Sequence, residues 1–303
     1  MTRRMVPQPQ PREKVDDTEH AGTTPLSTAQ AAREALASRL DGLRRDAELT
    51  GHELAVRCGW HKSKASRIAR ARTAPSDADI WTWCEACGAG DQAADLIAAS
   101  RSAESMYVQW QRIHRDGMRQ VQECTVPLYE RTAHFRVYAS NVMPGMLQTP
   151  EYATGLLRSI TTFQGTPDDV ADAVRARMAR SRVVHEGNHR FALLIEGAVL
   201  HYRVCQGTEL AAQLRYLQEV MARPNVSLGI IPLEARRTVW PLEAFYAFDD
   251  AQMAVETLTA EVNITAPSKV HTYLRAFVEM SRMAVYGAAA RSLIVKAVDS
   301  ALF

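Results

Sequence analysis

The sequence predicts a protein of two domains, a mostly α N-terminal domain of about five helices and a larger, mixed α/β C-terminal domain. The chain has 303 residues, more than a single hydrophobic core usually covers, because cores stop growing at about 250–300 residues. Apolar residues follow helical spacing up to about residue 124, and short strand-like runs alternate with helices after that point. Hydrophobic residues make up 47% and charged residues 23% of the chain, so most of it can bury a core.

Residues 1–27 are predicted to form a disordered tail, because four prolines stand there among polar and charged residues. The N-terminus has the basic start of a signal peptide without the apolar stretch that follows in one. No apolar run approaches the ~18–20 residues needed to cross a bilayer. We therefore expect a cytoplasmic, nucleoid-associated protein with no membrane partner. The net charge of +2 does not favour one class of partner over another.

The cysteines favour reduced thiols over a disulfide framework, because they are odd in number and spread along a long chain: Cys58, Cys84, Cys87, Cys124 and Cys205. Cys84 and Cys87 form a CxxC pair inside a predicted helix, where a spacing of three residues also places two side chains on one buried face. A zinc site needs a second pair of ligands, and none follows at a suitable distance. We expect no metal site and no cofactor.

The N-terminal domain, predicted at residues 28–103, begins with a helix that ends near Glu48 and aligns apolar residues on one face: Leu36, Leu40, Leu43 and Ala47. Thr50 and Glu53 have the spacing of a capping box and predict a second, short helix. Gly59 ends that helix, since glycine tolerates the left-handed conformation. Later in the domain, Ser76 with Asp79 predicts the cap of a fourth helix, residues from 91 onward a fifth, and residues 104–124 a connecting helix.

The third helix is predicted from His61 to about Arg72, with Ala65, Ile68 and Ala69 as its buried stripe. A rotation of 100° per residue then places four residues on the opposite, exposed face: Ser63, Ser66, Arg67 and Arg70. Trp60 and Ile68 are expected to hold this helix on the domain.

The C-terminal domain, predicted at residues 125–303, contains strand-like runs at 134–140, 191–196, 226–231, 244–248 and 253–258. Helices are predicted at about 150–160, 167–185, 207–222 and 267–285. The first two start where threonine precedes proline, at Thr149 and Thr166, which is the favoured order of N-cap and first helical residue. The order of the strands in the sheet does not follow from the sequence.

The second and third helices predict a helix-turn-helix, because a short helix that presents small polar and basic groups fits the major groove. Residues 57–72 contain six basic side chains and no acid, which favours contacts with phosphates. A solvated basic helix face is the alternative, and the capping box, the Gly59 turn and the apolar spacing favour DNA. The predicted double-stranded DNA contacts are Thr50, His52, His61, Lys62, Ser63, Lys64, Ser66, Arg67, Arg70 and Arg72.

The segment TGHELAVRCGWHKSKASRIARARTAPS at 50–76 resembles the helix-turn-helix of phage-repressor-like, Xre-type regulators, in a form typical of a large actinobacterial group. The segments MPGMLQTPEYA at 143–153, residues 173–204, RPNVSLGIIPL at 223–233 and VETLTAE at 255–261 resemble the DUF5753 domain of Scr1-type antitoxin-like and WhiJ-like regulators. Ala69, Arg70 and Ala71 replace the Glu-Asn-Gly or Glu-Lys-Gly of the family, and Gly51 and Lys62 replace two glutamines. We expect a different operator sequence.

The resemblance implies a homodimeric transcription regulator in which residues 61–67 enter the major groove and residues 50–53 meet the flanking backbone. The C-terminal domain would bind an effector, a small DUF397-type partner protein or a second protomer. An alternative is an antitoxin-like interaction module whose main role is to bind the DUF397-type partner.

An enzyme is not expected, because the sequence lacks GxSxG, HExxH, Walker and dinucleotide-binding motifs and offers no catalytic residues. Glu196 and Glu256 stand at strand-like positions among apolar neighbours and could form a buried polar pair. Together with Tyr202 they are the candidate residues of a ligand pocket, although such residues more often belong to an ordinary core.

Overall fold

The computed structural model describes residues 25–102, 107–109, 117–258 and 260–302. Five helices form the N-terminal domain: α1 (Pro25–Asp46), α2 (Gly51–Arg57), α3 (Lys62–Ala69), α4 (Asp77–Ala86) and α5 (Ala93–Ser102). The predicted tail falls largely outside the described residues, and its last three positions belong to α1. The predicted number of helices is confirmed for this domain.

One small core holds the five helices together. Leu40, Leu54, Ile68, Ile80 and Trp83 are almost fully buried and contribute from α1, α2, α3 and α4. The indole Nε1 of Trp83 donates a 2.8 Å hydrogen bond to the carbonyl oxygen of Leu40, so the one polar atom of the largest core side chain is satisfied. The apolar spacing in the sequence therefore reflects a real packing face on each helix.

The C-terminal domain is a three-layer α/β structure around one seven-stranded sheet. Its strands are β1 (Tyr107–Gln109), β2 (His134–Ala139), β3 (Arg190–Glu196), β4 (Val226–Ile231), β5 (Phe245–Phe248), β6 (Gln252–Glu256) and β7 (Ala260–Ile264). The order in the sheet is β1-β7-β6-β5-β2-β3-β4. Strands β2, β3 and β4 are parallel, and the remaining pairs are antiparallel.

Helices cover both faces of the sheet. The helices after the junction are α6 (Arg119–Cys124), α7 (Val126–Arg131), α8 (Pro150–Gln164), α9 (Val170–Ser181), α10 (Gly207–Val220), α11 (Pro267–Ser281) and α12 (Gly287–Leu302). Phe135 and Val137 of β2 pack with α10 and α12, whereas Tyr138 packs with α11 on the other side. This alternation follows from the two-residue period of a strand.

Four details differ from the sequence prediction. The proposed connecting helix at 104–124 is wrong at Tyr107–Gln109, which pairs with β7 as a strand, and residues 103–106 and 110–116 lie outside the described residues. Thr166 does not cap α9, which begins three residues after Pro167. Strand β7 and helix α12 were not predicted, although β7 alternates apolar and polar residues and the buried residues of α12 follow helical spacing.

The two domains touch where α5 meets the start of α11. The carboxylate of Asp95 accepts hydrogen bonds from the backbone N–H of Ser268 at 3.0 Å and from its hydroxyl. Since Ser268 is in the first turn of α11, the negative charge lies where unpaired helix N–H groups point.

Across the described residues, each helix is too short or too polar to span a membrane.

Candidate nucleic-acid interface

Helix α2 begins with the predicted capping box. The backbone N–H of Thr50 donates to Oε2 of Glu53 at 2.7 Å, and the N–H of Glu53 donates to Oγ1 of Thr50 at 3.2 Å. The side-chain hydrogen bond to Thr50 is the main cause that holds the pKa of the exposed Glu53 below its usual value. Because Oγ1 of Thr50 accepts, its own O–H remains able to donate to a phosphate.

The start of α3 is capped by a histidine, a feature that sequence reasoning missed. Nδ1 of His61 accepts the backbone N–H of Ser63 at 3.3 Å and lies 2.8 Å from its hydroxyl oxygen. A neutral imidazole that accepts at Nδ1 carries its proton on Nε2. The exposed His61 ring can thus donate to an outside group while its other nitrogen stabilises the start of α3.

Two aromatic residues hold the turn between α2 and α3 against the domain. Gly59 has φ of 67°, a left-handed conformation that glycine adopts at little cost. The following Trp60 is partly buried against the core, and its ring centroid lies 6.2 Å from that of Trp83. With Ile68 only 1% exposed, the predicted structural roles of Trp60 and Ile68 agree with their positions.

The outward face of α3 is polar and basic. Lys62, Ser63 and Arg67 are exposed and Ser66 is partly exposed, while Ala65 and Ile68 are buried on the opposite side. Among the described residues, no carboxylate forms an ion pair with four exposed cations of this region: Lys62, Arg67, Arg70 and Arg72. We call these four side chains the free cations of the interface.

Lys64 differs from the free cations, because its ammonium is already held within the domain. Nζ lies 2.6 Å from Oδ1 of Asp79 and 4.4 Å from the centroid of the Trp60 ring. Asp79 also caps α4, where its Oδ2 accepts the N–H of Ser76 at 3.2 Å. Lys64 therefore joins α3 to α4, and its predicted contact with a phosphate stays a prediction.

Burial and hydrogen bonding act in opposite directions on Asp79. Burial raises the pKa of this carboxyl, but hydrogen bonds from Lys64 and from Ser76 lower it by more, so the net pKa is below its usual value. The charged form is thus favoured by the folded domain. The ion pair between α3 and α4 is fully formed at neutral pH.

Helix α3 ends at Ala69, three residues earlier than predicted. Ala71 follows with φ of 54°, and the N–H of Arg72 donates to the carbonyl of Arg67 at 2.9 Å. The chain thus makes a left-handed helix end of the kind that usually contains glycine. Arg70 and Arg72 therefore extend from the turn beyond the helix.

The remaining predicted contacts flank α3. His52 is exposed in the first turn of α2, next to the exposed Thr50. Arg57 is exposed, but its Nη1 donates to the carbonyl of Ala86 at 3.2 Å. One surface thus combines the start of α2, the outward face of α3 and the turn after it.

The three residues predicted for a ligand pocket do not come together. Glu196 is 4% exposed and binds Arg237 at 2.7 Å and 2.5 Å, and it accepts the hydroxyl of Tyr138 at 2.8 Å. Tyr202 is 46% exposed. Glu256 alone lines a cavity, on the other side of the sheet centre. The predicted buried pair of Glu196 and Glu256 is wrong, because β2 and β5 lie between their two strands and Glu256 is exposed. Glu196 is instead neutralised by Arg237.

The CxxC cysteines lie in the core of the N-terminal domain. Cys84 is fully buried; burial raises its pKa to about 11 and also raises the pKa of Cys87. Within the described ranges, no group of three or more His, Cys, Asp or Glu side chains could hold a metal ion. The thiols of this pair are therefore protonated core side chains at neutral pH.

Comparison with protein families gives two matches. A model described as a helix-turn-helix domain matches residues 35–97, and a model described as a domain of unknown function, DUF5753, matches residues 125–296. No curated protein and no solved structure matches the chain. The two family matches confirm the predicted architecture of a helix-turn-helix followed by this domain.

Proposed function

Because this chain belongs to the DUF5753 family and carries a helix-turn-helix domain ahead of the family domain, we propose that it is a sequence-specific, Xre-type transcription regulator. In this proposal α3 lies in the major groove of its operator. The C-terminal domain adjusts that binding in response to an effector, a partner protein or a second protomer. The proposal assigns the chain no catalytic activity.

The observation that carries the proposal is the unpaired positive charge beside the outward face of α3. The major groove is about 12 Å wide and admits one helix. Lys62, Arg70 and Arg72 stand at the two ends of α3, where they would meet the phosphates on either side of the groove. Within the part of the chain that the structure describes, these three side chains form no ion pairs, so their charges are available to replace counterions on DNA.

Arg67, Ser63 and Ser66 are assigned to the base edges, because they occupy the middle of the outward face. A guanidinium can donate two hydrogen bonds to O6 and N7 of guanine, and serine hydroxyls suit several bases. His61 and Thr50 are assigned to phosphates, since each retains an outward donor after its capping contact.

A homodimer is part of the proposal. One helix of eight residues contacts too few base pairs for specificity in a genome, and related helix-turn-helix proteins double the site by two-fold symmetry. A cytoplasmic location on the nucleoid follows from the same proposal.

The proposal is tested by selecting bound duplexes from a random library with the purified full-length chain. We expect one enriched motif, and a fall in affinity with salt whose logarithmic slope is about −3 per protomer, from the three side chains assigned to phosphates. Replacing Lys62, Arg67, Arg70 and Arg72 together by Ala should abolish enrichment. Arg291→Ala, an exposed arginine of α12, is the matched control. A folded wild-type chain that enriches no motif contradicts the proposal.

A second candidate function, binding of a small DUF397-type protein, is favoured by the long loop between β4 and β5. Leu233 and Trp240 in this loop are 61% and 72% exposed, and large exposed apolar side chains are typical of interaction sites. Calorimetric titration with such a protein should show binding that Trp240→Ala weakens at least about 10-fold, as expected for an aromatic anchor. Equal affinity of the variant contradicts this role of the loop.

A further inference from the structure

A cavity of about 430 Å³ lies in the C-terminal domain between the sheet and helices α6, α8 and α9. This volume falls within the range of small-molecule sites, about 300–1,000 Å³. Apolar side chains form much of its wall: Leu128, Val142, Leu156, Ile160 and Phe248. The cavity therefore suits the apolar body of a small organic molecule.

Two guanidinium groups line this cavity from adjacent turns of α9. Arg177 donates from Nε to Oε1 of Gln122 at 3.1 Å and from Nη1 to Oε1 of Gln148 at 2.6 Å. Arg180 donates from Nη1 to Oγ1 of Thr125 at 2.6 Å. All three acceptors are neutral, so they orient the guanidiniums without cancelling either charge.

Arg180 also has an N–H group without a partner. The residue is 9% exposed, and its Nε is buried with no hydrogen-bond acceptor among the residues that the structure describes. Its Cζ lies 4.6 Å from the centroid of the Tyr129 ring, which further limits its contact with water. A buried donor left unpaired is costly, so this guanidinium is held at the cavity wall with one of its N–H groups unsatisfied by any described residue.

The carboxylates of the cavity wall interact with the two guanidiniums only beyond ion-pair distance, Glu256 with Arg177 and Glu261 with Arg180. Glu256 and Glu261 line the cavity, yet in the described parts of the chain neither forms an ion pair with Arg177 or Arg180. Burial raises the pKa of Glu261, whose Oε1 accepts the amide of Asn263 at 2.9 Å. Burial and the nearby charge of Arg180 lower the pKa of Arg177 to about 10, and the charge of Glu256 offsets only part of this effect.

We propose that this cavity is an effector site for a small organic acid, whose carboxylate binds Arg177 and Arg180 while its apolar body lies against Leu156 and Ile160. Guanidinium groups bind carboxylates through charge-assisted hydrogen bonds. Tyr246 also lines the cavity and adds a donor, because its oxygen accepts the N–H of Gly145 at 3.0 Å and its own O–H can still donate. The two glutamates nearby favour a ligand with a single negative charge over a doubly charged phosphate.

Elements that line the cavity reach the junction between the domains. Through these elements, a ligand bound in the cavity would alter DNA binding. Asp169 holds the start of α6 by accepting the N–H groups of Met118 and Arg119, each at 2.8 Å. On the other wall, β7 pairs with β1 just after the DNA-binding domain, where Tyr107 faces Val262. This coupling rests on the proposed function, whereas ligand binding itself does not.

The site is tested with the full-length chain and a panel of probes: hexanoate, decanoate and phenylacetate, each compared with its uncharged amide. Calorimetry should detect binding of at least one acid, with its amide binding about 10- to 100-fold more weakly, since hydrogen bonds to a charged group are lost. Binding of the amides as tightly as the acids, or of none of the acids, overturns the proposal. Tighter binding of decyl phosphate than of decanoate overturns the assignment to carboxylates.

Variants separate the site from general stability. Arg180→Gln should weaken the bound acid about 10-fold or more, whereas Arg175→Gln, on the exposed side of α9, should leave its affinity unchanged. Ile160→Trp, which fills the apolar end and leaves both guanidiniums in place, should also abolish binding. Unchanged affinity in either cavity variant contradicts the proposal, even if the other variant fails to fold.

The effector role is measured separately, as a change in operator affinity at saturating acid. We expect a change of about 5- to 150-fold, the usual range of allosteric coupling, that is absent in Arg180→Gln. Acid binding without any change in operator affinity overturns the effector role but does not contradict the proposed binding site. A chain that binds the acid but selects no DNA motif overturns the proposed function instead.

Discussion

Two residues next to helix α3 have left-handed backbone conformations. Gly59 has φ of 67° before α3, and Ala71 has φ of 54° after it. A side chain at such a position costs about 1–2 kcal/mol. A Cβ added at Gly59 would meet no atom within 4 Å, so any cost there comes from the backbone alone.

Exchanging these residue types should change stability in opposite directions. Ala71→Gly should raise the free energy of unfolding of the N-terminal domain by about 0.5–1 kcal/mol, and Gly59→Ala should lower it by about 1 kcal/mol. Thermal melting of the two variants measures both effects. Gly51→Ala is the control, because its backbone φ is not left-handed and nothing crowds its Cβ. Destabilisation by Ala71→Gly would contradict the strained helix end.

Ile68 tests the rotation of α3 about its axis. It is 1% exposed, and Ile68→Ala should lower the free energy of unfolding by about 2–4 kcal/mol through the cavity it leaves. Val56→Ala is the matched control, because Val56 is 65% exposed on the neighbouring helix and should change stability by less than about 0.5 kcal/mol. Lost DNA binding with unchanged melting of the Ile68 variant would place this side chain at the DNA.

At the scale of elements, α3 is attached to the domain by apolar contacts below it and by the Lys64–Asp79 pair beside it. This pair also explains why Lys64 does not resemble its basic neighbours, since the ammonium serves the junction with α4. A sequence cannot show such a contact, because the two residues are fifteen positions apart and both residue types are common on exposed helices.

The pair predicts a pH-dependent loss of stability. The folded domain lowers the pKa of Asp79, so its stabilising effect is complete above the ordinary carboxyl pKa and is lost as pH falls through the lowered value. Asp79→Asn keeps a capping side chain but removes the charge, and should lower the free energy of unfolding by about 1 kcal/mol at neutral pH, since Lys64 is 40% exposed.

Melting curves of wild type and Asp79→Asn at neutral and acid pH measure this effect. The difference between the two proteins should shrink in acid, where the wild-type carboxyl is protonated. Equal melting temperatures at neutral pH would show that the pair contributes nothing.

Local signals predicted much of the structure at this scale. The capping boxes at Thr50 and Ser76 start α2 and α4 where expected, and Thr149 caps α8. These signals succeed because each depends on residues three positions apart. Strand β1 and the partner of Glu196 could not be predicted, since both depend on contacts between distant parts of the chain.

For the whole molecule, the sequence indicated two domains and an α/β class but not the strand order, which joins β5 to β2 across more than a hundred residues. The cavity, like the strand order, could not be predicted from the sequence. Arg177 and Arg180 were predicted only as part of a helix, and their importance emerges when α6, α8 and the sheet surround them. Helix α3 with its exposed basic face, by contrast, was predictable because its residues lie within one continuous segment.

A homodimer on DNA is the prediction at the scale of the assembly. Light scattering of the chain mixed with its selected operator should give a mass of two protomers per duplex, because two half-sites are needed for specificity. The free chain, measured alongside, shows whether dimers form before binding. A single protomer on the complete operator would contradict two-fold recognition.

The measurement that tests the account most directly is a titration of wild type, Arg67→Ala and Lys64→Ala against cognate and scrambled duplexes at several salt concentrations. Arg67→Ala should lose about 1–3 kcal/mol on the cognate duplex, lose much less on the scrambled one, and relax the preference at one base position. Lys64→Ala should weaken both duplexes about equally, through a lost phosphate contact or a loosened α3. If Arg67→Ala weakens both duplexes equally, Arg67 binds only phosphate, and the assignment of base recognition to the middle of α3 is contradicted.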